Sequence, residues 1–128
     1  MIWYVAFGSA VGGVARFLVG SLFPQRSSGA LPVGTLIINV TGSLLVGLII
    51  RYAITSETVS PEVRALLTVG ICGGYTTFST FSLETAVLFE EGRYDIALAY
   101  VALSVTLSLL AVFAGMWLGR EVALARAV

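Results

Sequence analysis

The sequence predicts an all-α integral membrane protein, a single domain over residues 1–128 built of four transmembrane helices, the third broken near its middle. Three observations predict it. Of the 128 residues, 58% are hydrophobic and only 11% charged, against about a quarter charged in soluble domains. The apolar residues gather into four stretches, each close to the ~20 residues a helix needs to cross a bilayer. In the third, Val69 to Thr85 reads VGICGGYTTFSTFSLET, a hydrophobic run interrupted by a glycine pair and a series of hydroxyls. Glycine weakens a helix and hydroxyls in hydrocarbon need partners. Non-helical backbone at membrane depth is tolerated only where it is buried in protein or lines a watery cavity, so the interruption marks a site rather than a plain anchor.

The four spans are Ile2 to Phe23, Val33 to Ala53, Ala65 to Phe89 and Ile96 to Leu118. The first carries Arg16, lacks a basic leader and is too long for a signal sequence, so it reads as mature protein. The loop Pro24 to Pro32, PQRSSGALP, stops the first helix before the second starts. Ser60-Pro61-Glu62 supplies a capping serine, a proline at the first helical position and an acid in the first turn, which together start the third span. In EEGRYD, Gly92 is the stop and Asp95 the cap of the fourth. Short loops make neighbouring spans antiparallel, with both termini on one side. That side carries Arg51, Arg64, Arg120 and Arg126, and the other Arg26 and Arg93. The imbalance is a weak orientation signal and permits insertion both ways.

Seven arginines balance seven acids, and lysine and histidine are absent. No basic field points to nucleic acid. Lone Cys72 makes no intrachain disulfide, and without histidine and with scattered acids no metal-ligand cluster or nucleophile and base pair can be drawn. An enzyme is therefore the least expected class, and no organic cofactor is implied.

Polar residues inside the spans are the candidates for function. Gly8, Gly12, Arg16 and Gly20 recur every fourth residue on one helix face. Gly8 and Gly12 suit close helix packing. Arg16, whose burial costs roughly 2.5–3.5 kcal/mol on insertion scales, either snorkels toward the first loop or draws anions toward a vestibule. Thr35, Asn39, Ser43 and Gly47 form the same stripe on the second span. Asn39 either joins helices by a hydrogen bond or lends its NH2 to replace the water of an anion. A break near Gly73 to Thr77 frees carbonyls, which suit a cation, and amides, which suit an anion. Phe78 and Phe81 share a face: plain apolar packing, or two positive ring edges that favour an anion without trapping it. Ser79, Thr80 and Glu84 beside them favour the second alternative, Glu84 being a proton carrier or a snorkelling acid. Tyr100, Ser104 and Ser108 form a hydroxyl ladder on the fourth span, unless they bond back to their own helix. Four helices are few for an enclosed pore, which implies an oligomer that uses the glycine faces as its interface.

GGVAR, GTLIIN followed by VTGS, and above all GGYTTFSTFSLET resemble the signature of the Fluc, or CrcB-type, family of small fluoride channels, and length, span number and motif order agree. The resemblance implies an antiparallel, dual-topology homodimer in the lipid bilayer of a bacterial-type inner membrane, passing fluoride passively outward through two pores around a central structural sodium ion. It implies that Gly73 and Thr76 offer carbonyls to the sodium and that Phe78 and Phe81 line the pores. Thr35, Asn39, Ser79, Thr80, Glu84, Tyr100, Ser104 and Ser108 would complete the anion pathway, with Arg16 supporting the vestibule. The ladder departs from some relatives at Val112, where they carry a hydroxyl. Two other classes compete. A proton-coupled small multidrug-type exporter expects a carboxylate in the middle of the first span, which has none. An accessory membrane subunit would explain the glycines but not Asn39, Arg16 and the broken span together.

Overall fold

A computed structural model describes residues 1–24 and 29–127. All its regular elements are helical: α1 (Ile2–Leu22), α2 (Val33–Ser56), α3 (Pro61–Ala65), a π-helical segment π1 (Leu66–Cys72), α4 (Gly73–Tyr75), α5 (Phe78–Glu90) and α6 (Tyr94–Arg126). Helices α1, α2 and α6 are each long and apolar enough to cross a membrane. The third crossing in chain order is shared by α3, π1, α4 and α5. Trp3, Phe7, Phe17, Leu110 and Phe113 stand exposed around the bundle, an outer surface suited to lipid rather than water. At 33 residues, α6 is about 50 Å long and exceeds a hydrocarbon core of ~30 Å.

Local chemistry sets most helix ends. Ser60 Oγ accepts from Val63 N at 3.3 Å with Pro61 next to it, as the sequence predicts. After α5, Gly92 turns left-handed at φ 71°, and the amides of Gly92 and Arg93 close on Phe89 O and Leu88 O at 3.1 and 2.9 Å. This glycine stop lets α6 start at Tyr94. Asp95 is therefore not the cap that the sequence suggests: the N-cap is Arg93, with no side-chain cap bond, and Asp95 sits in the first turn with Oδ1 3.8 Å from Arg93 Nε.

Two glycine seams hold the spans together. In the first, α1 lies against the third crossing. Gly8 faces Leu66 O and Gly70 Cα, Gly12 faces Ile71 O and Tyr75 N, and a methyl on Gly74 would lie 2.7 Å from Ser9 O. In the second, α2 and α6 run parallel, Gly47 meeting Val112 and Met116, Gly115 meeting Leu44 and Leu48, and Gly119 meeting Leu48 and Tyr52. These contacts correct the expectation that the glycine faces serve an oligomer interface. Gly8, Gly12 and Gly47 are spent within the chain, where only a missing side chain lets two backbones touch.

The seams predict opposite outcomes for two glycine-to-alanine changes. At Gly115 a methyl would collide with the Leu44 carbonyl, and Gly115→Ala is expected to destabilise by ~1–3 kcal/mol. At Gly13 nothing lies within 4 Å, and Gly13→Ala is expected to be neutral or to stabilise by up to ~1 kcal/mol. Thermal unfolding of the purified variants in detergent checks the difference in sign.

Candidate functional site

The third crossing is interrupted at Thr76 and Thr77. Thr76 leaves the helix at φ −76°, ψ 159° and Thr77 is extended at φ −151°, ψ 112°. The expected glycine pair is not where the helix gives way, since Gly73 and Gly74 are themselves helical in α4. Side-chain chemistry makes the break instead. Asn39 on α2 grips Thr77 at both backbone groups: its Nδ2 donates to Thr77 O at 3.1 Å and its Oδ1 accepts from Thr77 N at 2.9 Å. Thr77 Oγ1 then caps α5 by accepting from Thr80 N at 3.2 Å, while donating to Thr80 Oγ1 at 2.9 Å. Of the alternatives open for Asn39, the structure displays the interhelical bond, and one amide hydrogen stays uncommitted.

These bonds change the status of two carbonyls. In an uninterrupted helix Gly73 O would receive the amide of Thr77, and Thr76 O that of Thr80. Both amides are used elsewhere, by Asn39 and by the Thr77 hydroxyl. Gly73 and Thr76 thus keep carbonyl oxygens with the partial negative charge that suits a hard cation.

The break opens onto a groove of about 470 Å³ lined by Asn39, Ser43, Gly73, Thr76, Thr77, Phe78, Phe81, Ser104 and Ser108, with Thr68 and Cys72 from π1. The rings of Phe78 and Phe81 pack at a tilt of 44°, centroids 5.5 Å apart. Phe78 is 79% exposed, and Phe81 lies 5.1 Å from the ring of the fully buried Tyr100. Ser104 is buried, and its Oγ has no hydrogen-bond partner among the described residues. A buried hydroxyl left unpaired is rare.

A second cavity of similar volume, between the end of α1 and the start of α2, is lined by Gly20, Phe23, Pro32, Thr35 and Glu84. Glu84 accepts from Thr35 Oγ1 at 2.9 Å and from Tyr100 Oη at 2.7 Å. It is therefore anchored inside the bundle rather than snorkelling to the surface. Phe81, Tyr100 and Glu84 form a continuous chain between the two cavities.

Most of the sequence-predicted residues meet here: Thr35, Asn39, Gly73, Thr76, Phe78, Phe81, Glu84, Tyr100, Ser104 and Ser108 all line a cavity or touch a residue that does. Ser79 and Thr80 sit at the exposed start of α5, tied to Thr77. Arg16 lines neither cavity and makes no ion pair among the described residues. The sequence reading missed Thr77 as the centre of the site. Its position before a hydrophobic turn, with Thr80 three residues on, is a capping signal that could have found it.

Comparisons with known proteins agree in kind. Residues 3–116 match the family described as CrcB-like protein, Camphor Resistance (CrcB). A protein of Rhizobium meliloti (strain 1021) named fluoride-specific ion channel FluC is 49% identical over 119 residues, covering 93% of this chain and 95% of that one. Similarly named proteins of Nitrobacter winogradskyi and Chelativorans sp. (strain BNC1) are 48% and 45% identical, each covering 92% of this chain and 94% of the relative.

The Asn39 grip predicts a graded loss of stability. Asn39→Ala leaves an amide and a carbonyl unpaired, at ~1–3 kcal/mol each. Thr77→Val removes only the cap, at ~1 kcal/mol. Unfolding of both variants in mixed micelles is expected to rank Asn39→Ala as the more damaging.

Proposed function

The chain belongs to the CrcB-like family, and from that premise we propose that it is a passive fluoride channel of the bacterial plasma membrane. Two antiparallel copies would form it, letting the membrane potential drive fluoride out of the cytoplasm. The observation that carries this reading is the Asn39-held break facing a groove with uncommitted neutral donors, the remaining Asn39 hydrogen and the orphaned Ser104 hydroxyl. Fluoride is small and firmly hydrated, so a pore for it must replace water with several donors while avoiding a charge that holds it. Amide and hydroxyl groups do this. The Phe78 and Phe81 rings add positive edges along the same wall. Ser79 and Thr80 would serve at the outer start of that wall, and Arg16, outside the groove, would act only through its long-range field. Thr35 and Tyr100 donate to Glu84 and would stand at the far end of the path, next to the second cavity.

A second copy is supported by what the single chain leaves bare. Phe78 is mostly exposed and Gly73 is exposed beside it, and both border the groove that holds Asn39, Ser43, Ser104 and Ser108. Packing these surfaces against their counterparts would close the groove. The same pairing would bring two sets of Gly73 and Thr76 carbonyls together, and these oxygens, without their helical amides, would hold a sodium ion. Such an ion would supply a fixed positive charge at the join between copies.

Proteoliposomes loaded with fluoride and given no pH gradient test the proposal. Wild-type protein is expected to release fluoride and retain chloride. Release only under a pH gradient would indicate a proton-coupled exporter, and silent vesicles an accessory subunit. Phe78→Ile and Phe81→Ile are expected to slow release by roughly 3–10-fold, the worth of an aromatic contact of ~1 kcal/mol, with gel filtration still reporting an assembled dimer. Unchanged rates in both would take the rings out of the pathway.

A further inference from the structure

Beyond the residues already placed on the path, we infer that Ser43 is a further anion-contacting residue. Paired with Ser108, it would form the end of the donor track farthest from Tyr100. The inference rests on the channel reading and extends it.

The inference starts from how the hydroxyls in these helices are used. Thr41, Thr68, Ser82 and Thr85 each donate to the carbonyl one turn back, at 2.7, 2.8, 2.9 and 2.7 Å, the usual resting place of a helical hydroxyl. Within the groove Thr76 does the same, to Cys72 O at 3.0 Å. Ser43 lines that groove, is half-buried and has no hydrogen-bond partner among the described residues. On its stripe, Thr35 is committed to Glu84 and Asn39 to Thr77, so Ser43 is the one member whose donor is wholly free.

The α2 and α6 seam places a partner beside it. Gly47 meets Val112 where the two backbones touch. One turn back from that contact stand Ser43 on α2 and Ser108 on α6. The helices are parallel, so the two serines lie within about one turn of the same level. Both line the groove, and Ser108 likewise has no partner among the described residues. One turn further along α6 is the orphaned, buried Ser104 hydroxyl. Three free hydroxyls from two helices thus converge on one wall, and the seam closes the space between the helices immediately beyond them. A small anion that accepts several short hydrogen bonds is the ligand such a cluster fits.

The test measures fluoride efflux from proteoliposomes over a range of fluoride concentrations, using the full chain. Ser43→Ala is expected to lower the flux roughly tenfold, as loss of a hydrogen bond to a charged group implies, and to raise the half-saturating fluoride concentration. Ser43→Thr, which keeps the hydroxyl, is expected to restore both. Ser43→Ala at wild-type flux, with the wild type conducting, overturns the role of Ser43 and leaves the channel reading standing. Ser43→Thr as slow as Ser43→Ala also overturns it, because packing rather than donation would then matter. Should Ser43→Ala fail to assemble, the isosteric but weakly donating Ser43→Cys decides: reduced flux supports the inference and wild-type flux overturns it. Wild-type vesicles that hold assembled dimer yet release no fluoride sink the channel reading, and this inference with it.

Discussion

The site depends on one side chain doing for a backbone what water cannot do in a bilayer. Opening a helix at membrane depth exposes an amide and a carbonyl to hydrocarbon, where each unpaired group is worth several kcal/mol. Asn39 answers both groups of Thr77 at once. An aspartate in its place would lack the donor and a leucine would lack both functions, so the amide is the side chain that fits a single extended residue. The Thr77 hydroxyl then starts α5, and the interruption is confined to Thr76 and Thr77. With the break fixed, the direction of Phe78 and Phe81 and the freedom of the Gly73 and Thr76 carbonyls follow.

The two glycine seams turn that local feature into a groove. The first docks α1 on π1 and α4, while the second brings α2 and α6 together beyond Ser43 and Ser108. Helices α2 and α6 touch backbone to backbone at Gly47 and Val112, and on the side of the break Asn39 and Ser43 of α2 and Ser104 and Ser108 of α6 line the groove. Val112 lies where the helices are already in contact, one turn past Ser108, so the row of groove serines ends at the seam.

Much of this was legible in the sequence. The four crossings, the stripe through Asn39, the Ser60 cap and an interruption between Gly73 and Thr77 all come from spacing and residue type. What the sequence left hidden depends on partners. Whether Gly8 or Gly47 faces another helix of its own chain or a second copy is not written in a four-residue repeat, and the structure assigns both to the chain itself. The π-helical turn at Leu66–Cys72 carries no local signature that distinguishes it from α-helix. Gly73-Gly74 was the obvious weak point by propensity, yet tertiary contact with Ser9 keeps Gly74 helical, and two threonines with one asparagine make the break instead. Asp95 has the chemistry of a cap, but the left-handed turn at Gly92 fixes the start of α6 before the side chain can act.

The charge distribution then explains why the groove is built from neutral groups. Its lining contains no arginine and no acid, and Glu84, at the neighbouring cavity, is quenched by two hydroxyl donors. At 4 Å a full charge in a medium of effective dielectric ~20 attracts an anion by about 4 kcal/mol, roughly a thousandfold longer residence on an otherwise equal site. Hydroxyls and a half-used amide attract through dipoles, whose pull falls off faster with distance and whose orientation adjusts as the ion moves. In the proposed channel, a row of such groups from Thr77 past Ser104 to Ser43 and Ser108 would let each position compensate part of the hydration without any one of them becoming the deepest well. That is the condition for an ion to bind strongly enough to enter and weakly enough to leave. Arg16 lies outside the groove, and in the proposed channel it would act only through its field, which meets the same condition.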